Sequence, residues 1–157
     1  MNRLFLTTEF QLWYVLPLFT ILFNLIGFFK GYQQCAQKKN AFGLTQWLYP
    51  WGVFVWGDAL VISPFFMLAS LISLGVNDFN LFMLFFCAYW LIRSIGESIY
   101  WFNQQFSTII RVKLKELPFY GKLVHDDSAW FIMQIFMQCI AVFTLIGTIY
   151  FSAAWLP

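Results

Sequence analysis

Asn24, Asp58, Arg93, Glu97, Gln134 and Gln138 are polar side chains set inside the most apolar parts of this sequence. Arg93 and Glu97 stand four apart in YWLIRSIGESIYW, 89–101, one helical turn, so a guanidinium and a carboxylate share a face. A charge in hydrocarbon costs at least about 2.5 to 3.5 kcal/mol on the insertion scale, so Asp58, Arg93 and Glu97 are expected to point inward and meet. Asn24, Gln134 and Gln138 would supply the remaining hydrogen bonds. Tyr100 extends the same stripe, which runs Tyr89, Arg93, Glu97, Tyr100, Gln104. Two carboxylates and one guanidinium leave a net negative charge if all are ionised, which implies a carboxyl that keeps its proton or a neighbouring cation. The chemistry indicated is a proton relay or a site for a small cation or an amine. The architectural alternative is a polar lock that fixes helix register.

The elements that must hold these groups follow from composition. Of 157 residues, 61% are hydrophobic, 23% aromatic and only 10% charged, which excludes an ordinary soluble domain. A membrane helix needs about 20 mostly apolar residues, and four stretches qualify: 12–29, 51–74, 79–102 and 129–151. The expected fold is therefore an all-α integral membrane protein, a four-transmembrane-helix bundle forming a single polytopic domain over 1–157. Arg3 before an apolar run resembles a signal peptide, but Glu9 interrupts it and no small-residue cleavage site follows closely. The first helix is expected to be retained.

Counted inward from helix ends at Phe29, Trp51, Phe102 and Ala129, the six polar residues lie at depths of about 8 to 14 Å at 1.5 Å per residue. They form one layer near the ends that carry the two longer loops. The other half of the spans shows small hydroxyls such as Ser63, Ser70, Ser73, Thr144, Thr148 and Ser152. The longer loops hold Lys30, Lys38, Lys39, Arg111, Lys113, Lys115 and Lys122, against Arg3 on the opposite side. The positive-inside rule then predicts cytoplasmic long loops with both termini outside. Independently of that rule, the membrane expected is a bacterial inner (plasma) membrane.

Local signals punctuate the spans. Thr8 with Gln11 resembles a capping box, Pro50 fits a first helical position, and Asp78 and Asp127 or Ser128 fit N-caps. Gly75 to Asp78 leaves room only for a tight turn. Pro64, well inside the second helix, removes one backbone bond and should kink it, leaving the carbonyl of Leu60 to find another partner. Trp13, Trp51, Trp101, Trp130 and Trp155 fall near predicted ends, as rings at a membrane interface do. The segment 106–123 reads both as a short interfacial helix and as an alternating strand. Its Arg111, Lys113 and Lys115 would suit an anionic leaflet or serve only as a positive anchor.

Other chemistries find little support. His125, Asp126 and Asp127 are weak metal candidates, since adjacent loop residues rarely converge on one ion and no second motif adds ligands. Cys35, Cys87 and Cys139 are scattered, without a paired spacing. No nucleophile motif or phosphate loop occurs, no cofactor is implied, and no basic patch is large enough for nucleic acid. The expected partners are the lipid bilayer and either further copies of the chain or other membrane subunits. The leading reading is an oligomeric transporter or channel for a small solute or ion, using the polar layer. The alternatives are a non-catalytic accessory or assembly subunit of a membrane complex, and a membrane-embedded enzyme or lipid-binding protein with a cavity open to the cytoplasm.

Overall fold

The computed structural model describes the backbone of residues 3–108 and 126–156, with side chains from 13 and from 128 onward in those two stretches. Four helices carry the chain: α1 Arg3–Tyr32, α2 Trp56–Val76, α3 Phe79–Gln104 and α4 Asp126–Trp155. Each contains a stretch long and apolar enough to cross a membrane, which marks an integral membrane protein. There is no strand among the described residues. The chain divides into two compact units, Met1–Phe86 with Ala154–Pro157, and Cys87–Ala153.

In the first unit α1 and α2 run antiparallel along a seam of small residues. A Cβ on Gly31 would meet Ala59 Cβ at 2.9 Å and the Trp56 carbonyl oxygen at 3.2 Å, and one on Gly27 would meet Ser63 Oγ at 3.1 Å. At the far end the Tyr14 hydroxyl donates to Asn77 Oδ1. Equal steps along the two helices therefore match, and the register sets Asn24 opposite Phe66 and Thr20 opposite Ser70. Pro17, Thr20, Asn24 and Gly27 are buried on one side, as are Ala59, Ser63, Phe66, Ser70 and Ser73 on the other. Bare backbone at the contact lets two helices approach closely, which is the usual basis of helix association where water supplies no hydrophobic drive.

The chain between these helices is exposed over 36–40 and again at Phe42, Gln46 and Pro50, but Thr45, Leu48, Trp51, Gly52 and Val53 are buried. After α1 comes a π turn, Gln33–Gln37, and then the chain folds back beside α1. A 3₁₀ helix, Gln46–Trp51, ends at Gly52, whose φ of 68° is a left-handed conformation that suits glycine. Leu48 lies against Gly27, and the Trp51 ring stacks on Phe23 with centroids 4.4 Å apart. Those contacts lie one to two turns below Gly31, where α2 begins, so the tip descends about 6 to 12 Å alongside α1. The segment 38–55 is thus re-entrant.

This corrects several expectations. Trp51 is not the start of the second span but the end of the 3₁₀ helix, and it is buried rather than interfacial. Pro50 belongs to that short helix and does not open α2. The left-handed Gly52 forces the break, and α2 starts at Trp56 after the extended Val55. α1 begins at Arg3, so Thr8 stands inside it instead of capping it, and α4 begins at Asp126, which puts Asp127 and Ser128 in its first turn. α2 continues through Pro64 to Val76, which a kink at the proline permits. The tight turn is as expected: Asn77 is left-handed with φ 61°, and Asp78 Oδ1 accepts from the amides of Asn80 (2.8 Å) and Leu81 (3.3 Å).

In the second unit α3 and α4 also run antiparallel. A Cβ on Gly147 would meet Cys87 Sγ at 2.8 Å, and Trp101 stacks on Trp130 at 5.5 Å. Both rings lie near helix ends but are buried against one another, so they hold the helix pair rather than a membrane interface. The hydroxyls of Ser94, Ser98, Thr144 and Thr148 donate to carbonyls one turn back, at 2.6 to 2.8 Å. Such back-bonding satisfies a hydroxyl inside an apolar span without an outside partner. Residues 109–125 lie outside the described residues, and with them almost all of the ambiguous 106–123 segment.

Replacing Gly31 by Leu should destabilise the first unit by about 1 to 3 kcal/mol through overpacking against Ala59 and the Trp56 carbonyl. Gly75→Leu, where an added Cβ meets nothing within 4 Å, should not. Thermal unfolding of the two variants in detergent checks the contrast.

Candidate functional site

Apart from its 3₁₀ helix the re-entrant segment is non-helical backbone, and where it is buried beside α1 its polar groups need partners within the protein. Most have one. The Thr45 amide donates to the Phe54 carbonyl at 3.0 Å and its hydroxyl to the Val53 carbonyl at 2.6 Å. The amides of Trp56 and Gly57 donate to the Gly43 and Ala41 carbonyls at 3.1 and 2.8 Å. Asp58 closes the set, its Oδ2 accepting from the amides of Phe54 (3.1 Å) and Val55 (3.3 Å). Leu48, Val53 and Thr45 are buried, and Phe19, Phe23, Trp47 and Trp51 pack as a ring cluster around the tip. Lys30 Nζ lies 5.0 Å from the Trp47 ring centroid, a cation–π contact at the rim.

Beside this well-satisfied segment the seam holds side-chain atoms without hydrogen-bond partners. Asn24 is fully buried and donates through Nδ2 to the Thr20 carbonyl at 3.0 Å. That bond requires a donor, so it fixes the amide orientation and leaves Oδ1 as the unfilled atom. Ser63 Oγ and Ser70 Oγ are likewise buried and unfilled, in contrast to Ser73, which donates to the Ala69 carbonyl at 2.8 Å. Ser63 faces Gly27 instead of its own helix. The Trp51 Nε1 hydrogen is unfilled too. Leu48 and Trp51 are three apart on a three-residue turn, so both address α1. Along α1 the register places Ser63 one turn to one side of Asn24 and Ser70 one turn to the other.

The magnitudes define what these atoms can do. A buried polar group left unfilled costs about 1 to 3 kcal/mol, so four of them together are a substantial incentive to accept a hydrogen-bonding molecule. Moving a bare ion from water into an apolar interior costs of order 20 kcal/mol before relaxation. Three neutral oxygens and one N–H are far from offsetting that.

The residues expected to form the polar layer are distributed between the units. Asn24 and Asp58 belong to the first, and Arg93, Glu97, Tyr100, Gln134 and Gln138 to the second. Arg93 and Glu97 do pair, Nη2 to Oε1 at 2.9 Å, with side chains 24% and 13% exposed. Gln134 accepts from Gln105 Nε2 at 2.7 Å, and Gln138 is exposed. The depth assigned to Asp58 is corrected. It is the third residue of α2, in the first turn, because α2 starts five residues later than expected. Ser63, read above as part of the opposite half, stands level with Gly27 near the re-entrant segment. Composition passed over Trp51, Ser63 and Ser70. The signal for the two serines was the spacing Ala59, Ser63, Phe66, Ser70, Ser73 in steps of three and four, the counterpart of Pro17, Thr20, Asn24, Gly27, Gly31. Among the described residues no group of His, Cys, Asp and Glu could hold a metal ion. His125 lies outside them, as do the side chains of Asp126 and Asp127.

Asp58→Ala should leave the amides of Phe54 and Val55 unserved and cost about 0.5 to 2 kcal/mol, the range for losing a helix N-cap. Limited proteolysis should then cut within 38–55 faster than in the parent chain, whereas Asp58→Asn, which keeps an accepting oxygen, should protect it. No family model, no curated protein and no solved structure matches this chain.

Proposed function

We propose that this integral membrane protein moves a small polar solute or an ion across the bilayer. The observation that carries the reading is the re-entrant segment 38–55, packed against a seam with buried, unfilled polar atoms. Non-helical backbone at membrane depth is found where protein or a water-filled cavity shelters it, and transporters and channels build their sites there. Asn24, Asp58, Arg93, Glu97, Tyr100, Gln134 and Gln138 are the residues proposed to contact or steer the transported species. Asp58 does so indirectly, by holding the end of the re-entrant segment.

One observation also favours association with further copies. Arg93 and Glu97 stay partly exposed near the middle of an apolar helix, beside Gly96, whose Cβ position is open. A charged pair facing lipid is costly, and a bare glycine surface lets another helix come close. The proposed arrangement is an oligomer in which that face of α3 is covered, with cytoplasmic long loops as the basic residues dictate.

Two measurements test this. Purified protein reconstituted in liposomes should pass at least one member of a panel of salts, protons and small uncharged solutes faster than protein-free vesicles. Arg93→Gln should reduce that flux while leaving the fold intact by circular dichroism; an impermeable wild type would remove the reading. For sidedness, a variant keeping only Cys35 should react with a membrane-impermeant maleimide after the cells are opened and not before.

A further inference from the structure

Building on the transport reading, we infer the class of substrate: the α1–α2 seam closed by the re-entrant segment is a site for a small uncharged polar solute rich in hydrogen-bond donors. Asn24 Oδ1 is fully buried and can only accept, because its amide nitrogen is already engaged with the Thr20 carbonyl. Ser63 Oγ and Ser70 Oγ, one turn to either side, can accept or donate. Trp51 Nε1, carried to the level of Phe23 by the 3₁₀ helix, can only donate. Ser63 and Ser70 stand seven residues apart on α2, about 10.5 Å, so a small molecule with several donors and at least one acceptor, such as urea or a short polyol, would engage Asn24 and part of this set at a time.

The surroundings argue against a charged occupant. Between Tyr14 and Phe29 on α1, and between Ala59 and Val76 on α2, no residue is ionisable apart from the tyrosine itself. Asp58, at the start of α2, precedes this stretch, and its Oδ2 is held by two backbone amides. Lys30 lies at the rim, exposed, over the Trp47 ring. An ion in the seam would shed its water for a few neutral dipoles. An uncharged solute exchanges its hydrogen bonds to water for equivalent ones. The gap between α1 and α2 at Gly27 is closed by Leu48 and Ser63, so admission requires the tip 46–51 to shift away from α1.

The experiment is stopped-flow light scattering on proteoliposomes given an outward osmotic step with urea, with glycerol, or with potassium chloride. The expected result is re-swelling in urea or glycerol about tenfold faster than protein-free vesicles, with no such gain in potassium chloride. Trp51→Phe keeps an aromatic ring, smaller than the indole, and removes the only donor, and it should lower the solute rate about tenfold, the value of one well-placed hydrogen bond. Asn24→Leu should do the same, with Trp51→Phe as the safeguard should the leucine variant fail to fold. Ion flux that falls with Arg93→Gln but ignores Trp51→Phe would overturn the uncharged-solute site and leave the transport reading standing. Vesicles tight to urea, glycerol, salt and protons alike would overturn both.

Discussion

The close approach of α1 and α2 at Gly27 and Gly31 is the constraint on which the first unit depends. With no side chain at either glycine, the Trp56 carbonyl, Ala59 and Ser63 reach the surface of α1 directly. That contact fixes where α2 begins, and so how far the connecting chain must travel to join the helices. Leu48 uses the same glycine as its seat. A side chain at 27 would therefore disturb a helix contact and a loop contact together. The seam also sets the register that brings Tyr14 to Asn77 at its far end.

The second unit is held by a different device. α3 and α4 meet through large rings at one end, Trp101 on Trp130, and through a small contact at the other, Gly147 on Cys87. Between them the hydroxyls fold back onto their own helices, so the interior needs few cross-helix hydrogen bonds. The hydroxyls of the first unit do the reverse at Ser63 and Ser70, which turn away from their own carbonyls. The same residue type is neutral packing in one unit and an available polar group in the other. What decides is whether a backbone carbonyl one turn back is within reach of the chosen rotamer.

Much of the helical framework was legible from the sequence, because long apolar runs have few alternatives and because Asn77 and Asp78 are strong signals for a short turn. The region before α2 was not. Trp51 and Val53 look like the first turn of a membrane helix, and Pro50 looks like its opening residue. Only the left-handed Gly52 and the contact of Leu48 with Gly27 separate that stretch from α2, and the second of these is tertiary. The error carried into the site. Asp58 appeared deep because the helix end was placed too early, whereas it closes the re-entrant segment. Asn24 was legible as part of a small, polar stripe. Arg93 and Glu97 were legible as a pair, since spacing alone puts them on one face. The unfilled state of Ser63, Ser70 and Trp51 was not, because it depends on rotamers and on a ring stacked against α1.

The two-residue turn between α2 and α3 has a consequence for how the chain enters a membrane. Asn77 and Asp78 together are too short to let Val76 and Phe79 lie on opposite faces of a bilayer. Neither helix can therefore be threaded through to completion while the other waits. α2 and α3 must cross as a hairpin, led by the turn, with the Asp78 carboxylate already bound to the amides of Asn80 and Leu81 and so partly shielded on the way.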